Sequence, residues 1–450
     1  MRYSFRHSIV MIIILSGFYL NAQDRINEMK WEYSSVVFVQ NDKVIAEDRM
    51  GNIIAEGKNG IDDSYVIQSA IDISAPAGEI KITTGKYYLD KTLHVNSNNK
   101  ITGSGRGTVL IPPINDFAIK VEKAEQEMIP RPYHSKELHP LYAVIRTDIT
   151  IDGERDSLLN SGKGIYLSTF WSSSFMNLWI QNTGNAITLN NVHECDFQNI
   201  YLINNGNAEK KEAGFLLNGR DNIHISGLYV IYQNYIGLQV TSNSKLIFIT
   251  NSMFHGWNKL NKPNKYPLIS IQDINDGAKK GDRLKSDVII ENCRITVGGE
   301  GTNVVDIANS PVTIRQCVAS CGWGDAIISA VENSRVNISD NTFYNLKPLP
   351  SGKYAFYGED SEVIFKNNVV SSLNLQVSLK AVRNSIIADN RFDAVTDKPN
   401  ILIGDKGNEG CRSIQVKGNI FRKEKLNKAV EVEPYSTNSI EIHDNQLWSE

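Results

Sequence analysis

The chain has 450 residues, of which 41% are hydrophobic and 22% are charged, and its formal net charge is -3. This hydrophobic fraction can fill a long core and excludes an intrinsically disordered chain. No stripe of basic residues is present, which argues against a nucleic-acid partner. An acidic polysaccharide is still compatible with the composition, because a local basic cleft can form at any net charge.

The first residues have the pattern of a secretory signal peptide. Arg2 and Arg6 precede an apolar run from Ile9 to Leu20, and Ala22 offers a small residue for cleavage. The apolar run is shorter than the roughly 20 residues that a membrane-spanning helix needs. We therefore predict a signal peptide over residues 1–22, a secreted or periplasmic protein, and no membrane span after signal removal. Loss of the two arginines takes the net charge from -3 to about -5.

The next segment, residues 23–60, contains loosely alternating stretches that predict strands of an N-terminal capping segment. A short amphipathic helix should follow it. Asp62 or Asp63 can cap this helix, and one apolar face is formed by Val66, Ile67, Ala70 and Ile71. Such a helix can cover the open end of a repeat domain. We predict that residues 61–450 form that domain.

A short phrase then returns roughly every 22 to 29 residues: apolar, any, apolar, any, a turn-former, Asn, any, apolar. It is clear in VIIENCRI from Val288, VNISDNTF from Val336 and VIFKNNVV from Val363. Weaker copies extend back to Ser173. A repeat of this length, with a second short alternating strand after each copy, is typical of one coil of a solenoid.

Alignment of the copies gives two informative columns. The first holds Asn, Asp, Gln and Gly, most of which tolerate a left-handed backbone and so mark a sharp turn. Stacked at the strand spacing of about 4.8 Å, the residues of the second column would hydrogen-bond to one another as an asparagine ladder. We predict an all-β fold, a right-handed single-stranded parallel β-helix of about a dozen coils with a short N-terminal capping helix. The second column contains Cys293, Cys317, Asn341, Asn368, Asn390, Asn419 and Asn445.

The stretch from Gly60 to Pro113 resembles the first module of the pectate lyase-like, right-handed β-helix superfamily. The matching elements are the capping helix with Gln68, the GEIKITTGKYYL strand pair from Gly78 and the GSGRGT turn from Gly103. This superfamily includes polygalacturonases, several polysaccharide lyases and phage tailspikes. The resemblance implies the fold and leaves the chemistry open, because the fold hosts unrelated reactions. The polygalacturonase residue set and the calcium cluster of typical pectate lyases are not recognisable here.

Cys293 and Cys317 are 24 residues apart (317 − 293) and share one column of the repeat. We therefore expect them on adjacent coils, pointing into the core. Buried thiols fit this position, and a disulfide between them or with Cys321 is the alternative. A zinc site is not predicted, because no His or second Cys pair has the required spacing.

Long turns indicate where a substrate groove would have its walls. Three insertions stand out, at residues 121–143, at 205–214, and as the pair 255–267 and 273–286. A Trp beside cationic groups is suited to a sugar that carries a carboxylate or sulfate. An ordinary solvated, Lys-rich loop is the alternative. The paired insertions carry His255, Trp257, Lys280 and Arg283, and Trp323 either extends the aromatic platform or packs beneath a loop.

An outward-facing row can also be inferred on one strand of each coil. If Val305 and Ile307 point inward, Asp306 points outward, and Asp325 joins the same face from the next turn. The two carboxylates could serve acid–base chemistry or metal binding, and polar decoration of a solvated face is the alternative. The same row is expected to include Asn218, Thr241, Gln272, Tyr357 and Lys380.

These residues suggest a carbohydrate-active enzyme that acts by β-elimination on an acidic, uronate-containing or sulfated polysaccharide or its oligosaccharides. Both a polysaccharide lyase and a uronyl dehydratase fit, with the protein as a monomer. The alternatives are a glycoside hydrolase that uses Asp306 and Asp325, and a glycan-binding adhesin. Cofactors are unassigned; calcium is a candidate without a recognisable site. The catalytic candidates are His255, Lys280, Arg283, Asp306, Asp325, Tyr357 and Lys380, and the substrate-binding candidates are Trp257, Gln272 and Trp323.

Overall fold

The protein was analysed as a computed structural model. The predicted signal peptide lies outside the residues that it describes. The described residues are 32–75, 78–95, 99–121, 129–130, 138–139, 145–146, 148–154, 161–256, 265–272, 286–296, 302–321, 325–345, 354–371, 376–393, 398–404, 410–423, 425–436 and 439–448.

The N-terminal part forms a small sheet that leads into the solenoid. Strands β1, β2 and β3 pair antiparallel, and β1 also pairs parallel with β4, which pairs with β7. The elements are β1 (Ser35–Gln40), β2 (Lys43–Asp48), β3 (Ile53–Lys58), α1 (Asp63–Ile73), β4 (Glu79–Ile82), β5 (Gly85–Tyr88), β6 (Leu93–His94), β7 (Lys100–Thr102), a 3-10 turn (Gly105–Gly107), β8 (Thr108–Ile111) and β9 (Phe117–Val121).

The predicted helix is present as α1, and its predicted apolar residues are buried. Asp62 and Asp63 do not cap it. The carboxylate of Asp62 accepts a hydrogen bond from the backbone N–H of Lys58, and that of Asp63 accepts one from Tyr88 at 2.6 Å. Gln68 bonds to both the N–H and the C=O of His94, at 2.8 and 2.9 Å. These contacts fasten α1 to the first strands of the solenoid.

From β5 onward the chain is a parallel solenoid of about 10 turns, close to the dozen coils expected. Its sheet contains 33 strands within the described residues. One coil shows the plan: β23 (Val305–Ala308), β24 (Pro311–Arg315) and β25 (Val318–Cys321) pair in register with the three strands of the next coil. We call these three positions the A, M and C strands.

In the early coils the A and M strands are fused into single long strands, two of which (β16 and β17) also include the C strand. From β19 onward most coils have three separate strands. The remaining elements are β10 (Ile129–Pro130), β11 (Leu138–His139), β12 (Ile145–Arg146), β13 (Thr150–Asp152), β14 (Lys163–Met176), β15 (Trp179–Gln181), β16 (Ile187–Ile203), β17 (Phe215–Ile231), β18 (Leu238–Thr250), β19 (Met253–His255), β20 (Ile269–Gln272), β21 (Val288–Glu291), β22 (Arg294–Thr296), β26 (Ala326–Val331), β27 (Arg335–Ser339), β28 (Thr342–Asn345), β29 (Tyr354–Glu359), β30 (Glu362–Lys366), β31 (Val369–Val370), β32 (Gln376–Lys380), β33 (Arg383–Ala388), β34 (Arg391–Phe392), β35 (Ile401–Ile403), β36 (Arg412–Lys417), β37 (Ile420–Phe421), α2 (Leu426–Ala429), β38 (Val430–Val432), β39 (Ile440–His443) and β40 (Gln446–Leu447).

The asparagine ladder is confirmed at the turn between the M and C strands. The amide of Asn341 donates to the side-chain oxygen of Asn368 at 3.0 Å, and Asn368 donates to Asn390 at 3.1 Å. Asn390 donates to Asn419 at 2.9 Å, and Asn419 donates to Asn445 at 3.0 Å. The residues just before the ladder have positive φ, including Asp340 (59°) and Asp389 (56°), as their turn-forming side chains predict.

Cys293 and Cys317 lie on adjacent coils, as predicted. The backbone N–H of Cys293 points at the sulfur of Cys317 at 3.4 Å, and both cysteines are buried and free. They continue the ladder position toward the N-terminus with sulfur in place of the amide. Within the described residues, no helix is both long and apolar enough to cross a membrane.

Candidate functional site

The outward surface of the A strands carries Asp306 at its centre. We call this surface the A face. In register, Asp306 lies opposite Ser270 on the preceding coil and Ser329 on the following one, and Ser329 lies opposite Tyr357. Because adjacent parallel strands are about 4.8 Å apart, these four side chains form one continuous polar row.

Asp306 is partly withdrawn from water, and burial raises the pKa of its carboxyl above the ordinary value. The amide of Asn303 donates a hydrogen bond to the carboxylate at 2.6 Å, which opposes that shift. The side-chain oxygen of Asn303 accepts the backbone N–H of Ala326 at 3.2 Å. Asn303 is thereby fixed by the next coil, and it holds the carboxylate in one orientation.

Ser270 adds an unsatisfied polar group beside this carboxyl. It is 1% exposed, and its hydroxyl has no hydrogen-bond partner in the described part of the chain. A buried hydroxyl is normally satisfied, and an ordered water or a ligand would complete this one. Ser270 is included in the candidate site because it is the register neighbour of Asp306.

Tyr357 and Lys380 meet at a residue that the sequence did not single out. The hydroxyl of Tyr357 donates to one carboxylate oxygen of Glu359 at 2.7 Å, and the ammonium of Lys380 lies 2.8 Å from the other. The hydrogen bond from Lys380 holds the pKa of Glu359 below its ordinary value. The positive charge of Lys380 is thus balanced within the protein, which weakens its predicted role as a free cation for substrate.

The predicted row is in fact two rows. Gln272 lies opposite Ala308, two residues beyond Asp306, so our single-row prediction was wrong for Gln272. Gln272 belongs to a parallel row with Lys380, and the hydroxyl of Thr241 in that row donates to Asn218 at 3.0 Å. Two side chains that are two residues apart on a strand point to the same face but lie in different rows. The alternating pattern of the sequence does not determine how the A strands of successive coils align with each other.

Asp325 is not in register with Asp306. The residue in register with Asp306 is Ser329, four positions after Asp325 (329 − 325). Asp325 lies just before its A strand, next to Ala326, whose backbone N–H is bonded to Asn303. The two carboxylates are thus not register neighbours, and the predicted pair stays a prediction.

His255 lies at the end of a C strand and not on the A face. Its Nδ1 is 3.0 Å from the hydroxyl of Thr296, and its ring meets Tyr232 edge-on. Burial, with a smaller contribution from the positive charge of Arg294, lowers the pKa of His255. His255 thus ends β19 directly before the predicted wall, and its grouping with Asp306 stays a prediction.

Four other predicted residues lie outside the described part of the chain. These are Trp257, Lys280, Arg283 and Trp323. Among the described residues, no group of three or more His, Cys, Asp or Glu side chains is arranged to hold a metal ion. Sequence reasoning missed Asn303, Ser270 and Glu359, although Ser270 and Glu359 share the outward parity of Asp306 and Tyr357 and could have been found by it.

The comparisons with known proteins agree with this architecture. The family described as "Right handed beta helix region" matches residues 305–450. The tailspike protein 3 of bacteriophage CBA120 superposes with a TM-score of 0.60 at 12% identity, over 96% of this chain and 68% of that one. ORF18 of Geobacillus virus E2 superposes with a TM-score of 0.50 at 16% identity, over 70% of this chain and 59% of that one.

The chain thus spans 59% and 68% of the lengths of these two structures. None of the curated proteins matches the sequence. At such low identity the structural likeness concerns the fold alone. The protein is a right-handed parallel β-helix, as predicted from the sequence, and these matches identify no single family.

Proposed function

We propose that the protein is a carbohydrate-active enzyme that cleaves an acidic glycan by β-elimination on the A face. The observation that carries this proposal is the environment of Asp306. It combines partial burial, a raised carboxyl pKa and one fixed hydrogen bond from Asn303. Perturbed carboxyls on a concave or loop-flanked surface are candidates for acid–base catalysis.

The chemistry requires one group that can take and return a proton. Ionised Asp306 would remove the proton from C5 of the uronate, and its raised pKa makes it a stronger base than an exposed aspartate. The C–H electron pair forms the C4=C5 double bond as the C4–O bond breaks. Asp306 then returns the proton to the leaving oxygen, so that no metal or oxidant is consumed.

The environment of the neighbouring carboxylate Glu359 bears on the choice between elimination and hydrolysis. Glycoside hydrolases use two carboxylates that are about 5 to 9.5 Å apart. Glu359 is poorly suited to be the second one, because it is paired with Lys380, which holds the pKa of its carboxyl below the ordinary value. Hydrolysis by Asp306 with Asp325 is the alternative, and product analysis distinguishes it from elimination.

Neutralisation of the substrate carboxylate is assigned to the insertion at residues 273–286. Lys280 and Arg283 come 8 and 11 positions after Gln272 in the sequence (280 − 272 and 283 − 272), and Gln272 ends the A strand of the coil before Asp306. A cation that pairs with the uronate carboxylate makes the C5 proton more acidic and stabilises the charge that develops on elimination. Trp257 and Trp323 remain proposed stacking residues.

The test is to incubate the protein with a panel of uronate-containing and sulfated polysaccharides. Ultraviolet absorbance of the unsaturated uronate and the release of reducing ends would be followed together. Elimination predicts that both rise in parallel. Reducing ends without the ultraviolet signal would indicate a hydrolase, and binding without product would indicate an adhesin.

The residue assignment is tested with Asp306→Asn. Loss of the acid–base group should lower turnover by about 100-fold or more. The matched control is Asp340→Asn, because Asp340 is exposed at the turn between the M and C strands, and Asn tolerates its positive φ of 59°. A turnover of Asp306→Asn equal to that of the control would remove Asp306 from the mechanism.

A further inference from the structure

The row of outward side chains that contains Asp306 continues through the early coils of the solenoid. Strand register carries it, coil by coil, from Asp306 back to Tyr166 on β14 in five steps. With about 4.8 Å between neighbouring strands, these steps amount to roughly 24 Å. The A face is therefore long enough for several units of a linear polymer. The row consists of Tyr166, Thr188, Leu216, Gln239, Ser270 and Asp306.

An aromatic pair lies at the far end of this row. Tyr166 points outward, because the residues on either side of it are buried in the core. The ring centroids of Tyr166 and Phe117 are 5.3 Å apart, and both side chains are partly exposed. The ring of Phe117 faces the ammonium groups of Lys120 and Lys163, which lie 5.9 and 5.4 Å from its centroid. Phe117 thus supports Tyr166, whose ring is suited to pack against the C–H face of a sugar.

The hydroxyl of Tyr166 is held by a chain of side-chain hydrogen bonds. Asn190 donates to this hydroxyl at 3.4 Å, and Asn218 donates to Asn190 at 3.1 Å. The hydroxyl of Thr241 donates in turn to Asn218 at 3.0 Å. These three residues form the row beside that of Tyr166 on the A face. A side chain held in this way loses little conformational freedom when a ligand binds.

Thr188, the register neighbour of Tyr166, has an unmet hydrogen bond. It points outward between the inward-facing Ile187 and Leu189, and it is 9% exposed. Its hydroxyl has no hydrogen-bond partner within the described residues. Buried hydroxyls are normally satisfied, so an ordered water or a ligand would complete this one. The unmet hydroxyl and the aromatic ring are separate observations that point to a ligand at the same end of the row.

The positive charges beside this aromatic pair are balanced within the protein. The ammonium of Lys120 lies 2.9 Å from the carboxylate of Asp116, and that of Lys163 lies 2.7 Å from the carboxylate of Glu212. Opposite charges this close largely cancel each other's field at a bound ligand. We therefore expect this end of the row to recognise the ring and hydroxyls of a sugar and not its charge.

We propose that Tyr166 and Thr188 form a distal sugar subsite of the groove that contains Asp306. The proposal rests on the proposed function and names its substrate class, a polymer and not a short oligosaccharide. An extended sugar unit is about as long as the strand spacing, so a chain of about six units reaches from Tyr166 to Asp306. One unit packs on Tyr166 and bonds to Thr188 while another lies at Asp306. Since the distal contact is the same before and during elimination, it lowers KM and leaves kcat unchanged.

The experiment compares oligomers of different length, prepared from the polysaccharide of the panel that gives the largest ultraviolet signal. In the parent protein kcat/KM should rise with length up to about six units and then level off. Tyr166→Ala should raise KM for the longer oligomers about 10-fold, corresponding to about 1.4 kcal/mol, with kcat unchanged. The variant should cleave the shorter oligomers as the parent does, which also shows that it is folded.

Binding is measured separately, by calorimetry in the Asp306→Asn background, so that the oligomers are not consumed. Addition of Tyr166→Ala should weaken binding of the longer oligomers by the same factor of about 10. Thr188→Val keeps the shape of the side chain and should also weaken their binding, without loss of stability, because the hydroxyl it removes is unpaired. Tyr435→Ala, at a position that is 72% exposed, is the control and should bind as the background protein does.

The outcomes separate this inference from the proposed function. Equal kcat/KM for short and long oligomers, or an equal loss at every length in Tyr166→Ala, would overturn the distal subsite and leave elimination at Asp306 intact. Full turnover in Asp306→Asn, or no product from any polysaccharide of the panel, would remove the proposed function and the distal subsite with it.

Discussion

The early and late coils of this solenoid have different side chains at the turn between the M and C strands. At the inner position of the turn between M and C strands, the late coils have Asn341, Asn368 and Asn390, all of them buried. The early coils have Leu178 and Leu228 at the same position, also buried. At this inner position the late turn has amide hydrogen bonds and the early turn has apolar packing. The early turn has its amide bonds one residue earlier, where Asn199 donates to Asn177 at 3.2 Å and Asn177 donates to Asp148 at 2.8 Å.

The change between the two regions is gradual and follows hydrogen-bonding capacity. The backbone N–H of Leu228 is met by the hydroxyl of Ser252 at 3.0 Å, and that of Cys293 by the sulfur of Cys317 at 3.4 Å. The N–H of Cys317 is then met by the side-chain oxygen of Asn341 at 2.8 Å. In each case the side chain at the inner position accepts a hydrogen bond from the backbone N–H of the preceding coil. Ser, Cys and Asn can therefore all occupy this position.

The early coils have a further amide stack at another turn, between the C strand and the next A strand. Asn182 donates to Asp152 at 2.8 Å, Asn204 donates to Asn182 at 2.7 Å, and Asn234 donates to Asn204 at 3.1 Å. The early coils also stack aromatic rings on the outer face of the C strands. Trp179 and Tyr201, like Tyr201 and Tyr229, have ring centroids 4.7 Å apart. Stacked side chains thus occur in both the early and the late coils. They differ in the position on the coil and in whether they are amides or aromatic rings.

The largest expected effect comes from breaking the late ladder at its centre. In Asn368→Leu, the side chain that bonds to Asn341, Asn390 and the C=O of Ile338 is lost. Because buried backbone groups are left unpaired, the free energy of unfolding should fall by about 3 kcal/mol or more. Chemical denaturation measures it. The exposed neighbour Asn367→Gly is the control, and an equally small loss in both variants would show that the ladder contributes little.

A smaller loss is expected from the aromatic stack of the early coils. Tyr201→Leu keeps an apolar side chain but removes two ring contacts at 4.7 Å. The free energy of unfolding should fall by about 1 to 3 kcal/mol, because each aromatic pair contributes beyond its buried area. Tyr435→Leu, at a position that is 72% exposed, is the control. If both variants had the stability of the parent protein, the stack would be incidental to the early coils.

Asp306→Asn should increase stability at neutral pH while it abolishes turnover. Burial raises the pKa of Asp306 in the folded state, so the folded protein binds its proton more tightly than the unfolded chain does. The ionised carboxyl therefore destabilises the fold above its folded pKa, and this cost vanishes as pH falls below the unfolded value of about 3.9. Unfolding followed across pH should show the variant's advantage at neutral pH shrinking to nothing in acid. An advantage that is absent at neutral pH, or that grows as pH falls, would contradict the raised pKa.

The smallest effect is expected at Cys317, where the inner position of the turn changes from cysteine to asparagine in the next coil. Cys317→Asn should place an amide where sulfur already accepts the N–H of Cys293 and lies near the C=O of Ile290. The ladder would gain one rung, so the free energy of unfolding should change by less than about 1 kcal/mol. Cys317→Leu, which cannot accept that N–H, should be less stable. The opposite order of these two variants would show that packing and not hydrogen bonding decides this position.

The periodicity of the sequence was sufficient to predict the fold and the asparagine ladder of the late coils. Positions such as Asn341 and Asn390 repeat with their turn-formers, and a repeat can bury its apolar face only by stacking on its neighbours. The same phrase was weak in the early coils, because Leu228 and its equivalents have no amide to detect. The capping helix was also predicted, but the partners of Asp62 and Asp63 were not, since they come from Lys58 and Tyr88.

The sequence by itself determined which side chains point outward, because strand parity is a local property. It did not determine which of them meet. The offset between successive A strands depends on the length and path of each turn, and it placed Tyr357 in the row of Asp306, Gln272 in the next row, and Asp325 at the strand's start. Ser174, Asp196 and His224 likewise lie side by side on the M strands only because the register of three coils brings them together. Strand identity follows from local pattern, whereas neighbours across coils are decided by the tertiary packing of the solenoid.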